Sequence, residues 1–146
     1  MRTSIFLLLL AISCVYAISR GGAPERWVAA IIIGMGALDP LVHVVTPLEY
    51  AKVDPGHLFI DLAGWLGFLC VALRANRFWP LWVAALQTIA LVAHMAKLLD
   101  VTIQPKAYMI MQIASSYPLL VVLMIGTFCH RKRLKTIGTE RSWRNS

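Results

Sequence analysis

Charge is scarce in this sequence. Of 146 residues only 14% are charged, and just seven are acidic. A soluble domain carries about 25% charged and 45–50% apolar residues, whereas here 59% are hydrophobic. So much apolar surface cannot be hidden inside so short a soluble chain, because a small domain keeps much of its surface in water. A lipid-facing surface resolves the conflict. One membrane domain then fills nearly the whole chain, with no room for a separate catalytic domain. Cysteine is scarce too. Cys14, Cys70 and Cys129 form no C-x-x-C pair, and their odd number argues against a disulfide framework. They read as small core hydrophobes. Phosphate-binding loops, zinc-protease helices and other mechanistic motifs are missing, as are internal repeats and sustained apolar–polar alternation. The last absence excludes strands, and a closed barrel would need more of them than this chain can supply.

Long apolar runs are what the sequence has in quantity. A membrane helix needs roughly 20 apolar residues, and five runs qualify as candidates: 5–19, 27–45, 57–73, 78–99 and 107–129. The breaks carry physical signals. Gly21-Gly22-Ala23-Pro24 ends the first run and opens the second. Asp54-Pro55-Gly56 reads as an N-cap followed by a first-turn proline. Arg74-Ala75-Asn76-Arg77 makes a tight polar hairpin, and Pro80 and Pro105 fall at the starts of the fourth and fifth helices. The expected fold is an all-α polytopic bundle of five helices over residues 1–130, followed by a basic tail, 131–146. The first run also has the outline of a signal peptide, with a basic start at Arg2 and Ala17 before a possible cleavage point. It reads more readily as a retained helix; cleavage would leave four.

Positive residues set orientation, since short cytoplasmic loops keep Lys and Arg. With the N-terminus outside, the inner side holds Arg20, Arg26, Arg74, Arg77 and all the basic residues of the tail, whereas the outer side holds only Arg2, Lys52, Lys97 and Lys106. Trp27, Trp79 and Trp82 then fall at the inner interface, and Tyr50 and Tyr108 near the outer one. The net charge of +7 does not point to nucleic acid, because the basic residues lie between apolar runs and in the tail and form no folded basic face. Arg131, Lys132, Arg133 and Lys135 read as an orientation anchor facing anionic lipid, with His130 a solvated interface residue beside them.

The remaining information is where polar side chains fall along the helices. A rise of about 1.5 Å per residue puts Asp39 about 20 Å, and His43 and His94 about 25 Å, above the inner edge. His57, Asp61, Lys97, Asp100 and Gln112 share the same outer third, whereas the inner half has almost no such groups. Asp39 and His43 are four apart on one helix face, and His57 and Asp61 repeat the relation. Lys97 and Asp100 are placed to satisfy each other. Intramembrane ionisable groups mark ion paths, proton relays or ligand pockets, or simply bond one another. His43, His57 and His94 with these carboxylates are also the only candidates for a metal or haem, and no ligand spacing here is specific, so no cofactor is expected. Ala30 with Gly34, and Ala63 with Gly67, have the small-xxx-small spacing that lets helix backbones approach. Pro118 should kink the fifth helix.

The string Arg77-Phe78-Trp79-Pro80-Leu81-Trp82, with His94 and Ser116-Tyr117-Pro118, resembles small multi-pass inner-membrane proteins of unassigned function common in alphaproteobacteria. The resemblance implies a bacterial inner membrane and brings no activity with it. The leading functional expectation is a non-catalytic accessory or assembly subunit of a larger membrane complex, with membrane lipids and either a membrane-protein partner or further copies of itself around it. The alternatives are a small proton-coupled transporter or ligand-binding protein using the His/Asp layer, and a membrane enzyme acting on a lipid, quinone or haem.

Overall fold

The computed structural model describes residues 2–45, 55–100 and 102–144. Those residues form five helices: α1 (Arg2–Arg20), α2 (Ala23–Val45), α3 (Pro55–Arg74), α4 (Trp79–Leu99) and α5 (Pro105–Ile137). Their starts follow from local chemistry. Proline opens α3 and α5 and sits second in α2 and α4, positions where its missing N–H is not needed. Glu25 reaches back to accept the Gly22 N–H at 3.1 Å, the carboxylate half of a capping box. At the other end of the chain, Gly138 adopts φ +80° and its N–H returns to the Leu134 carbonyl at 3.0 Å, closing α5. Two prolines, Pro40 and Pro118, lie inside helices that run on past them.

Each helix packs on its neighbours in sequence, and α5 closes the ring against α1 while also touching α2. The core is made where α2, α3, α4 and α5 meet, from Val28, Ile32, Phe68, Val71, Val83 and the α5 trio Leu119, Leu120 and Leu123. Close packing sets one small residue: a Cβ on Gly126 would come within 2.7 Å of the Trp79 indole, so α5 can lie on α4 there only without a side chain.

The outside is as apolar as the inside. Leu8, Val44, Phe59 and Leu99 are 62%, 83%, 70% and 85% exposed, among many other large hydrophobics. A monomeric soluble protein rarely leaves a contiguous apolar surface of that extent in water. Helices α3, α4 and α5 are each long and apolar enough to cross a membrane, and the apolar part of α1, Ser4–Arg20, is shorter.

One difference from the sequence reading concerns the tail. Apolarity ends near Cys129, but α5 continues to Ile137, because Arg131, Lys132, Arg133 and Lys135 are helix formers and nothing breaks the helix before Gly138. The chain then turns back. Asn76 N–H donates to the Ser142 carbonyl at 3.1 Å and Arg144 N–H to the Arg74 carbonyl at 2.9 Å. This places Trp143 against the core, so residues 139–144 strap the α3–α4 turn.

Candidate functional site

The bundle has two polar centres, one near each end. The first lies toward the α4–α5 turn. Gln87 and His94 are seven residues apart on α4, two turns along the same face, and both are buried. They face Asp61 of α3. The Gln87 amide donates to Asp61 Oδ1 at 2.9 Å, and His94 Nε2 lies 3.0 Å from Asp61 Oδ2. On the opposite side of the ring, the Tyr108 hydroxyl of α5 is 2.6 Å from His94 Nδ1.

An ionised Asp61 only accepts, so His94 Nε2 donates to it, and a neutral imidazole then leaves Nδ1 to accept from the tyrosine. The result is a hydrogen-bonded chain from Tyr108 through His94 to Asp61 that ties α5, α4 and α3 together. The His94 side chain is fully buried, while the Asp61 side chain keeps 14% exposure, so the chain leads from the interior to a partly open carboxylate. Next to it Trp65 Nε1 donates to Thr88 Oγ1 at 2.9 Å, a second tie between α3 and α4.

The other residues of the expected polar layer fall around this centre. His57 Nε2 and Asp39 Oδ1 pair at 3.3 Å across α3 and α2, both partly exposed. The sequence spacing put Asp39 and His43 on one helix face and His57 and Asp61 on another; the bundle also brings Asp39 to His57 and Asp61 to His94, partners on neighbouring helices. The side chains of His43 and Gln112 lie outside the described residues. Lys97 is buried and donates to the Ile103 carbonyl, while Asp100 accepts from the Thr102 N–H at 2.9 Å and from its hydroxyl. Those two bonds from Thr102 hold the Asp100 carboxyl below the usual carboxylate range. Among the described residues no three of His, Cys, Asp and Glu are placed to hold a metal ion, and His94 already uses both ring nitrogens.

The second centre, at the strapped end, was not expected. Glu25 of α2 is fully buried, and it pairs with Arg77 of the α3–α4 turn at 3.8 Å. Arg77 also meets Glu140 of the strap and lies 3.3 Å from His130 Nδ1. His130 in turn meets Glu140, and Arg133 Nε pairs with Glu140 at 2.6 Å. Burial lowers the hold of Arg77 on its proton and the Glu25 carboxylate works against that loss. His130, read from the sequence as solvated, is 6% exposed, and a Cβ on Gly22 would come within 2.9 Å of its ring. Of the basic tail, Lys132, Arg133 and Lys135 stay exposed and Arg131 is half-buried.

Sequence reasoning missed Tyr108, Gln87, Glu25 and Glu140. Tyr108 stood where an interfacial tyrosine is ordinary. Glu25 and Glu140 each had a readable signal: an acid at the third position of a helix, and a lone acid among cations.

The described residues form an all-α bundle in which three helices are long and apolar enough to cross a membrane. Compared with known protein families, curated proteins and solved structures, the chain matches none of them.

Proposed function

We propose that the chain is a multi-pass protein of a bacterial inner membrane, with its N-terminus outside and its strapped, basic end in the cytoplasm, and that it serves as a non-catalytic accessory or assembly subunit of a larger membrane complex. The observation that carries this reading is a helix face left over from internal packing. Gly67 of α3 lies under Ile31 and Gly64 under Met35, so that side of α2 is used within the bundle. Gly34 has nothing within 4 Å of where a Cβ would stand. Ala30, Gly34, Ala37 and Leu41 fall on one face of α2, and Ala30, Ala37 and Leu41 are exposed. In lipid such a small-residue face lets another helix approach closely, with dispersion and backbone contact as the driving force. The charge bias and the resemblance to small alphaproteobacterial membrane proteins support the orientation and the compartment.

The test is purification from the native host in mild detergent with identification of stoichiometric companions, repeated with Gly34→Ile. The reading expects a reproducible membrane partner that the variant loses, at unchanged yield and helicity, because the added side chain meets nothing within the bundle. A wild-type protein that is always alone and monodisperse counts against it.

One observation favours a second reading, a small proton-coupled carrier: the Tyr108–His94–Asp61 chain has donor and acceptor geometry for passing a proton through a buried imidazole. Here Asp61→Asn and His94→Ala are expected to abolish a growth or uptake phenotype at normal abundance. Equal loss of folded protein would return the three residues to a structural role.

A further inference from the structure

Beside the strap, α2, α3 and residues 143–144 border an open groove of about 930 Å³, toward the upper end of the range for ligand pockets. Its walls are apolar: Trp27 and Ile31 from α2, Gly67 and Cys70 from α3, and Trp143 from the strap. Among the described residues its lining carries two cations and no acid, Arg74 at the end of α3 and Arg144 beyond Trp143. Both are exposed. Their backbones are joined by the Arg144 N–H to Arg74 carbonyl bond, so the two guanidinium groups start from neighbouring points. Two indoles flank the apolar slot, the arrangement suited to the boundary between hydrocarbon and water.

We infer that this groove binds one anionic glycerophospholipid, an acyl chain lying between Trp27 and Trp143 and the headgroup phosphate held by Arg74 and Arg144. The argument rests on the membrane reading above and on charge complementarity. An apolar slot with two guanidinium groups at its open end fits an amphiphile whose charge is negative and sits at one end, and guanidinium matches phosphate through paired N–H donors. A zwitterionic lipid brings a cation to the same mouth, and inorganic phosphate alone leaves the slot unfilled. Lys132 on α5 is exposed and lines no such groove, and Lys135 borders a hollow only about half that size, about 440 Å³, walled mainly by basic and small residues, so these two attract headgroups chiefly as loose charge.

The experiment uses the full chain in mild detergent, titrated with phosphatidylglycerol or phosphatidylcholine and followed by native mass spectrometry and by the rate of thiol labelling at Cys70, which is exposed and lines the groove. One phosphatidylglycerol is expected to bind at least tenfold more tightly than phosphatidylcholine and to slow Cys70 labelling. Arg74→Gln with Arg144→Gln should erase that preference, whereas Lys132→Gln with Lys135→Gln should keep it. A second variant, Cys70→Trp, fills the slot with both arginines intact and should expel the lipid. Equal binding of the two lipids, or an unchanged preference in the arginine double variant, overturns the assignment. Alkaline carbonate extraction of membranes separates the two ways of failing. A protein that comes off has lost the membrane reading and the groove with it; one that stays and ignores phosphatidylglycerol has lost only the groove.

Discussion

The two polar centres solve the same problem differently. At the end near the α4–α5 turn, Gln87, Asp61, His94 and Tyr108 bond in sequence, each donor aimed at an acceptor across a helix boundary. At the strapped end the partners are full charges: Arg77 lies among Glu25, Glu140 and His130, and Glu25 Oε1, Arg77 Nε and Trp79 Nε1 make no hydrogen bond. A directed network gains its stability from geometry. A charge cluster gains it from neutrality, and loses it when a buried member is removed, because the remaining buried charges stay without compensation. The first centre therefore behaves as a set of ties, the second as a single balanced unit.

That contrast can be broken by substitution. Arg77→Met keeps length and removes the shared cation, leaving the fully buried Glu25 without its counter-charge and Glu140 with Arg133 alone. The expected loss is about 3–5 kcal/mol, read as the largest drop in thermal midpoint in detergent. Tyr108→Phe keeps the ring and deletes one hydroxyl. It should cost about 1–3 kcal/mol, the usual penalty for removing one side of a buried hydrogen bond, here the one to His94 Nδ1. A larger loss at Tyr108 than at Arg77 would reverse the comparison. Arg133→Gln touches the same Glu140 from a side chain that is 44% exposed, and its effect should stay within about 1 kcal/mol, as for other exposed pairs.

The smallest effect is a pH dependence at Asp100. Its folded carboxyl titrates below its ordinary value of about 3.9 because Thr102 bonds its charged form. It therefore adds stability above that unfolded value, and the contribution disappears as pH falls through the lower folded one. Acid titration of the thermal midpoint should show a shallow decline there, and Asp100→Ala should flatten it.

Much of the architecture was legible in the sequence, since apolar runs and their prolines are local properties. Four helices begin two to four residues before the apolar runs, α2 at Ala23 where the run opens at 27, while α4 begins at Trp79 where the run opens at 78, and α5 ran past the apolar limit because helix propensity continued after hydrophobicity stopped. The site was legible only in part. Asp61 and His94 stood out because ionisable groups are rare in such runs. Their partnership did not, because the spacing of four that links His57 to Asp61 is visible in one dimension and the rotation that turns Asp61 toward α4 is not. Glu25 looked like an ordinary first-turn acid, and only the fold brings Arg77 and His130 beside it. The strap was hidden for the opposite reason. In a run of polar residues, Trp143 was the one sign that the chain returns to the core.

The strap also imposes an order on synthesis. Arg77 leaves the ribosome with Glu25 already made, but Glu140 and Trp143 follow only after all of α4 and α5. Until they arrive, the α3–α4 turn holds a cation with half its counter-charge and an uncovered edge of the core. Proteins made from the N-terminus fold as their parts emerge, so the strap acts as a latch that closes last, and a chain halted before residue 140 would display an unlatched, cationic turn to whatever surveys nascent chains.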